Sequence, residues 1–217
     1  MKRAMIYVPA VLLAIGIGGL ATIQVLAQRN AQAAHWNSTS YDSPAPSMAM
    51  MQSFTQGSPR AAQTISKQQA NAAMETSLQN ATLSKNTNTV TYRKQNVTVV
   101  FFAGPEQADG KFVVGGLVNP TIQVRKGAHV QFKVINMDTG MPHGIEMTTA
   151  NPPYSYMSMM QGGIYPGSFI APLPEAQNGQ YAVASSDFVA NQSGHFHYLC
   201  QVPGHAAKGM YGKMIVS

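Results

Sequence analysis

Three side chains that can bind a metal lie close together near the end of the chain. Cys200, His205 and Met210 follow one another at the spacing C-x4-H-x4-M. We predict that Cys200 closes one strand and that Tyr211 opens the next, so that a single loop carries a thiol, an imidazole and a thioether. The glycines of this loop and Pro203 favour tight turns, which allow the three side chains to point at one ion.

These donor types select among metals. A thiolate with imidazoles and a weak axial thioether is typical of a trigonal blue-copper centre. Structural zinc sites use four strong ligands, usually including several cysteines, whereas this chain has one cysteine. The sequence therefore predicts one type 1 copper ion that cycles between Cu(II) and Cu(I), with Met210 as the weak axial ligand. It also requires a second histidine from elsewhere in the chain.

His143 is the best candidate for this second histidine. It begins a predicted strand directly after the turn at residues 139–142. His129 is the alternative, but alternation along its strand places it with Gln131 and Lys133 on a solvated face. The predicted metal ligands are His143, Cys200, His205 and Met210.

Another pair of histidines lies on the strand that leads to the cysteine. Because side chains alternate along a strand, His195 and His197 share one face, while Phe196, Tyr198 and Cys200 share the other. We expect the two aromatic rings to fill the core beneath the copper. We expect the histidine pair to face solvent rather than to form a second metal site.

Short strands must position these residues. Alternating or apolar segments predict strands at residues 90–93, 96–102, 121–125, 129–135, 143–147, 181–189, 195–200 and 211–216. The first two are predicted to form a hairpin around Lys94 and Gln95. Many short strands separated by Gly, Pro and Asn turns indicate an all-β sandwich. In addition we predict one helix over residues 61–79 and a long Pro- and Gly-rich loop over residues 152–174.

The start of the chain resembles an export signal. Lys2 and Arg3 precede an uncharged, mostly apolar run at residues 4–28, and a basic start followed by an apolar segment directs export. Because about 20 such residues suffice to span a bilayer, we predict a signal peptide or membrane anchor at residues 1–33 and favour the anchor. Either form places the domain in the periplasm or on the outer face of the cytoplasmic membrane.

The next segment differs in composition from the rest. Residues 34–60 consist largely of Ser, Thr, Gln, Ala, Pro and Met, which predicts a flexible tether. The domain then occupies residues 61–217, with the helix as its N-terminal extension. Methionines in the tether and the long loop could bind Cu(I) or serve as adaptable apolar contacts, and we favour the second reading: Met48, Met50, Met51, Met157, Met159 and Met160.

The bulk composition excludes some functions. Lys and Arg exceed Asp and Glu, giving a net charge of +6, yet no Lys/Arg cluster is interleaved with aromatic residues, so we predict no nucleic-acid binding. Charged residues make up 10% of the chain, whereas about 25% is usual. A protein with few paired carboxylates loses little stability when they are protonated. This fits an acidic compartment and equally fits simple compositional drift.

The metal loop also carries a family resemblance. Residues 199–216 read LCQVPGHAAKGMYGKMIV, and this segment resembles the cupredoxin family, within it the rusticyanins. Residues 119–121, residues 151–154 and the preceding helix are similar as well, so that the resemblance covers residues 70–217. It implies a Greek-key β-sandwich and a monomeric carrier in an acidophilic respiratory chain, often of iron oxidation. Its partners would be c-type cytochromes or a terminal oxidase, and the tether resembles that of the membrane-bound sulfocyanins.

One residue departs from the family pattern. The residue after the first histidine is normally Ser or Asn, whose side chain braces the site, but here it is Gly144. Hydrogen bonds around the ligands tune a metal, so the high potential of the family does not carry over automatically.

We predict a one-electron carrier, not an enzyme, with a partner docking near His205, Ala206 and Ala207. Copper storage or delivery is the first alternative. A copper enzyme is the second, but six histidines are too few for a multicopper oxidase.

Overall fold

A computed structural model describes residues 63–157 and 163–217 of the chain. They form two β-sheets that enclose a common core, with one α-helix near the start. The predicted signal or anchor, the predicted tether, and Met159 and Met160 lie outside the described residues. Within the described ranges, no helix is long and apolar enough to cross a membrane.

Thirteen strands make up the two sheets within the described ranges. The first sheet contains, in spatial order, β1 (Gln63–Ser66), β11 (Gln180–Val189), β8 (His129–Asn136), β4 (Asn96–Ala103), β5 (Phe112–Val114) and β6 (Leu117–Val118). The second contains β10 (Phe169–Leu173), β9 (His143–Thr148), β12 (Gly194–Leu199), β13 (Tyr211–Val216), β7 (Thr121–Val124), β3 (Thr89–Tyr92) and β2 (Ala81–Ser84). The predicted all-β sandwich is confirmed.

The predicted hairpin between the strands at residues 90–93 and 96–102 is wrong. Strand β3 pairs in parallel with β7 in the second sheet, whereas β4 pairs in parallel with β8 in the first. Strand β3 alternates buried and more exposed side chains, and β4 does so except at Val100, which is buried as well, so each can cover one side of the common core. The chain therefore crosses between the sheets at residues 93–95 instead of turning back within one sheet.

The helix begins later than its composition predicts. Helix α1 spans Lys67–Leu78, while residues 63–66 of the predicted helix form β1 and pair with β11. A capping box sets the boundary: the Gln69 N–H donates to Ser66 Oγ at 3.3 Å, and the Ser66 N–H donates to Gln69 Oε1 at 2.9 Å. Ala70 and Met74 are buried against the sandwich, as an amphipathic helix requires.

An aromatic cluster joins the two sheets below the end of β12. The ring centroid of Tyr198 lies 5.0 Å from that of Phe101 and 5.6 Å from that of Phe112, while Phe101 lies 5.1 Å from Phe132. The Tyr198 hydroxyl donates to the Pro120 carbonyl at 2.6 Å. The predicted burial of Phe196 and Tyr198 is thus confirmed, and the strand that leads to Cys200 is anchored in the core.

The long Pro- and Gly-rich loop is shorter than predicted, because its last part forms β10. This strand lies at the edge of the second sheet and contains Pro172, a residue that edge strands tolerate because one of their sides needs no N–H donor. Its pairing with β9 shifts register between Ile170 and Leu173. An irregular strand of this kind carries no alternating pattern from which to predict it.

Candidate metal centre

Three of the four predicted ligands converge at one end of the sandwich. His143 Nδ1 lies 3.2 Å from His205 Nδ1, and Cys200 Sγ lies 3.8 Å and 3.6 Å from these two nitrogens. A point equidistant from the three atoms is about 2 Å from each, which is comparable to the roughly 2.0–2.3 Å of metal–nitrogen and metal–sulfur bonds. The donor triangle therefore fits a first-row transition metal.

Met210 is fully buried and belongs to the same loop. Its N–H donates to the His205 carbonyl at 3.0 Å, and its carbonyl accepts the Cys200 N–H at 3.0 Å. Backbone hydrogen bonds thus connect Met210 to two of the three converging residues. His129, the alternative ligand, is exposed at the start of β8 and is not part of this cluster.

The loop at residues 200–210 is shaped by its own backbone. The His205 N–H donates to the Val202 carbonyl at 3.0 Å, and the Lys208 N–H donates to the Gly204 carbonyl at 3.0 Å. Gly204 has a φ of +81°, which glycine adopts without steric cost, and its N–H donates to the Tyr156 carbonyl at 2.7 Å. These bonds position the donors without needing a metal.

Two side chains that flank β5 and β6 of the first sheet hold the end of this loop at residues 208–209. Lys111 Nζ donates to the Lys208 carbonyl at 2.6 Å, and Asn119 Nδ2 donates to the Gly209 carbonyl at 2.8 Å. Asn119 Oδ1 in turn accepts the Phe112 N–H at 3.0 Å. The loop is therefore attached to both sheets.

Asp138 orients the first histidine. Its Oδ2 lies 2.9 Å from His143 Nε2, while its Oδ1 accepts the N–H groups of Gly140 at 2.8 Å and Met141 at 3.1 Å. A carboxylate that holds one ring nitrogen of a histidine fixes the tautomer and leaves the other nitrogen free for a metal. Sequence reasoning missed Asp138, although Asp138-Thr139-Gly140 is a turn-forming segment.

Asp138 and His143 are closely packed by their neighbours. Gly104 follows β4 with a φ of +60°, and a Cβ there would lie 2.6 Å from His143 Nε2 and 2.8 Å from Asp138 Cβ. Asn136 Nδ2 donates to the carbonyls of Met141, Leu173 and Pro174 at 3.0–3.1 Å. The Asn136 hydrogen bonds therefore hold the turn that carries Asp138. The backbone of Gly104 packs against the Asp138–His143 pair, where any side chain would collide.

Burial controls the protonation of the donor atoms. Burial lowers the pKa of His143, although the Asp138 carboxylate opposes this shift, and burial together with His143 lowers the pKa of His205. Burial therefore favours the neutral form of both rings, the form that binds metals. Burial raises the pKa of the Cys200 thiol to about 11, against the effect of hydrogen bonds from the backbone of Gly144 and Val202. Metal binding must release this proton.

Glu146 is an unusual buried acid near the centre. It lies on β9 opposite Leu199, is 1% exposed, and both carboxylate oxygens lack a hydrogen-bond partner within the described residues. Burial raises the pKa of its carboxyl to about 7. The group is therefore protonated and neutral in acid.

The prediction that both histidines of β12 face solvent is wrong for His197. Its ring is 6% exposed and lies near the rings of Tyr154 and Tyr211, with centroid distances of 6.3 Å and 6.4 Å. The loop that follows β9 brings Tyr154 over this face of the sheet, which alternation along a strand does not reveal. His195 is exposed as predicted.

Known proteins are similar to this chain in sequence and fold. Residues 116–217 match the family described as copper binding proteins, plastocyanin/azurin family. Rusticyanin from Acidithiobacillus ferridurans is 37% identical over 130 residues, which cover 59% of this chain and 67% of that protein. A rusticyanin sequence from Acidithiobacillus ferrooxidans is 36% identical over 130 residues, which cover 59% of this chain and 81% of that protein.

Solved structures of rusticyanin have a similar fold. The 1.27 Å structure of rusticyanin from Thiobacillus ferrooxidans matches with a TM-score of 0.64 and 29% identity, over 72% of this chain and 97% of that one. Reduced rusticyanin at 1.9 Å matches with a TM-score of 0.62 and 30% identity, over 72% of this chain and all of that one.

The chain belongs to the copper-binding plastocyanin/azurin family, the cupredoxins. Within this family it is similar to rusticyanin. Its cofactor is one type 1 copper ion, whose donor set the His–Cys–His triangle and the buried methionine fit. It is thus a blue-copper electron-transfer protein.

Substitution of Asp138 by Ala is expected to weaken copper binding. Loss of a carboxylate that orients a ligating histidine typically costs about 10–100-fold in affinity, while the donor triangle itself is retained. Copper affinity is measured by competition with a chelator. Asp187→Ala, which removes an exposed carboxylate bonded to Gln131 at 3.0 Å, is the control. Equal affinities of the Asp138 variant and the wild type would contradict the orienting role.

Glu146 is expected to make the protein more stable in acid than at neutral pH. Its carboxyl has a folded pKa of about 7 against an ordinary value of 4.5, so the folded state binds more protons between these values. Stability is therefore full below pH 4.5 and falls as the pH rises towards 7. A shift of this size corresponds to on the order of 3 kcal/mol.

Glu146→Gln, which mimics the protonated form, is expected to remove this dependence and to raise stability above pH 7. Urea unfolding of the copper-loaded protein from pH 4 to pH 8 measures it, and Glu106→Gln, at an exposed position, is the control. Parallel pH profiles for wild type and Glu146→Gln would show that burial does not perturb this group.

Proposed function

We propose that this protein carries single electrons between redox proteins outside the cytoplasm, in an acidic respiratory chain such as one that oxidises iron. The observation that supports this most directly is the convergence of a buried thiol and an imidazole from a preformed loop with a second imidazole from β9. His143, Cys200 and His205 would hold the copper ion together with the thioether of Met210, a weaker ligand. Bound copper supplies the reversible one-electron change.

The residues around the donors keep them in place during this change. Asp138 holds His143 through Nε2, and backbone hydrogen bonds hold the loop of the other three ligands. Since these contacts do not involve the metal, the donors keep nearly the same arrangement in both oxidation states. A site that moves little exchanges electrons with little reorganisation, which suits a carrier.

The burial of the site argues against catalysis. Cys200 and Met210 have no exposed surface, and His143 is 1% exposed. A catalytic metal site keeps an open position for water or substrate, and these buried donors leave none on their side. We therefore assign electron transfer alone.

Electrons are proposed to leave through His205. Its Nδ1 faces the donor triangle, so the opposite edge of the ring points away from the site, and the residue is 9% exposed. Exposed apolar side chains lie on the adjacent loop and turn: Met141, Tyr156 and Met157. We propose that a c-type cytochrome or a terminal oxidase docks on this surface.

An acidic setting agrees with several properties of the chain. Acidic residues number 8 out of 217, so few charges are lost when the pH falls. Burial lowers the pKa values of His143 and His205, which favours the neutral, metal-binding form of both rings. Residues 1–33, predicted as a signal peptide or anchor, would place the domain outside the cytoplasm.

The copper assignment is tested by visible spectroscopy of the full chain after addition of Cu(II). An intense thiolate-to-copper band is expected, which disappears in Cys200→Ser and is bleached reversibly by a reductant, since the thiolate supplies the coupling to the metal. A colourless protein, or copper binding that survives loss of Cys200, would instead favour copper storage by methionines.

The docking surface is tested by a charge at Ala207. This residue is exposed, whereas Ala206 is 1% exposed, so a charge at Ala206 would disturb the fold as well. Ala207→Glu is expected to slow electron exchange with a c-type cytochrome about tenfold, with the visible band unchanged. Stopped-flow kinetics measure the rate.

Val189→Glu is the matched control, because Val189 is also exposed (40%). It pairs with His129, the first residue of β8, whereas Asn136, the last residue of β8, lies next to the copper site. Equal rates for Ala207→Glu and the wild type would place the docking surface elsewhere.

A further inference from the structure

The residues that follow the first two ligands pack against each other beside the metal centre. Gly144 follows His143, and Gln201 follows Cys200. A Cβ on Gly144 would lie 2.6 Å from Gln201 Nε2, 2.8 Å from Gln201 Oε1 and 2.6 Å from the Ile170 carbonyl oxygen. The space that a side chain at Gly144 would need is therefore already filled by the amide of Gln201.

Gln201 is held firmly in this position. It is 2% exposed, and its Nε2 donates to the Ile170 carbonyl at 2.7 Å. Ile170 belongs to edge strand β10, so the hydrogen bond reaches across β9 and connects the copper loop to the next strand of the sheet. It lies where the pairing of β10 with β9 shifts register, and thus adds a connection where the backbone ladder is irregular.

Two of the residues next to Gln201 also act on the sulfur. The backbones of Gly144 and Val202 lower the pKa of the Cys200 thiol, against the larger effect of burial. Gly144 packs against the Gln201 amide, and Val202 is the next residue along the chain. A movement of the Gln201 side chain would therefore release the backbone of Gly144 beside the sulfur.

We propose that Gln201 is a positioning residue for the Cys200 thiolate. By filling the space beside Gly144 and bonding to Ile170, it fixes the backbone on both sides of the sulfur, so that the polar N–H groups there keep one arrangement. Hydrogen bonds to this sulfur tune the potential of a blue-copper site. Because they stabilise the sulfur more when it carries more negative charge, as it does with Cu(I), they favour the reduced state.

This inference rests on the proposed electron-transfer function. It is tested in the full copper-loaded chain with two variants: Gln201→Ala, which removes the hydrogen bond and the volume, and Gln201→Met, which removes the hydrogen bond and retains most of the volume. Both are expected to lower the ratio of Cu(I) to Cu(II) at a fixed ambient potential. A tenfold fall in this ratio equals about 59 mV for one electron, and the thiolate-to-copper band is expected to shift with it.

Gln131→Ala is the matched control. It removes a glutamine amide that donates to Asp187 at 3.0 Å in the first sheet, and it is expected to leave the potential and the band unchanged. Gln201 variants that are less stable but keep the wild-type potential and band would reduce Gln201 to a purely structural role and overturn the proposal. If Gln201→Ala does not fold, the potential of Gln201→Met decides. A wild-type protein without the blue band would instead overturn the proposed function, and this inference with it.

Discussion

The whole site depends on holding three electron-rich atoms within 3.8 Å of one another. Once Cys200 has lost its proton and both imidazole nitrogens turn a lone pair inwards, as copper binding requires, these atoms repel one another unless a metal lies between them. The scaffold must therefore impose the arrangement. It does so with the Asp138–His143 contact on one side and with a loop closed by its own backbone hydrogen bonds on the other.

Tight packing is the means by which the scaffold does this. Gly104 passes so close to His143 that a single added carbon would collide with the ring, and the same is true of Gly144 beside Gln201. Below them, the ring of Tyr198 is fixed among Phe101 and Phe112. Interiors packed in this way transmit small displacements instead of absorbing them. A change several residues from a ligand therefore reaches the donor atoms.

Much of this architecture could be predicted from local patterns. The ligand types and spacing at Cys200, His205 and Met210 indicated copper, and alternation along β12 identified Tyr198 as core. Contacts between distant segments could not be predicted in this way. The burial of His197 depends on Tyr154, more than forty residues earlier, and the exchange of sheets between β3 and β4 depends on parallel partners that are formed later in the chain. The role of Asp138 required knowing that its turn folds back on the histidine.

The position of the ligand strands within the sheet has a consequence for how the metal is retained. Strand β12 lies between β9 and β13, and β13 lies between β12 and β7, so both strands that flank the copper loop are interior strands. Interior strands open only when large parts of a domain open, while edges and loops fray easily. Separation of His143 from Cys200 therefore requires breaking the ladder between β9 and β12. Loss of copper by this route would be coupled to cooperative opening of the second sheet, whereas the loop at residues 200–210 offers a local route.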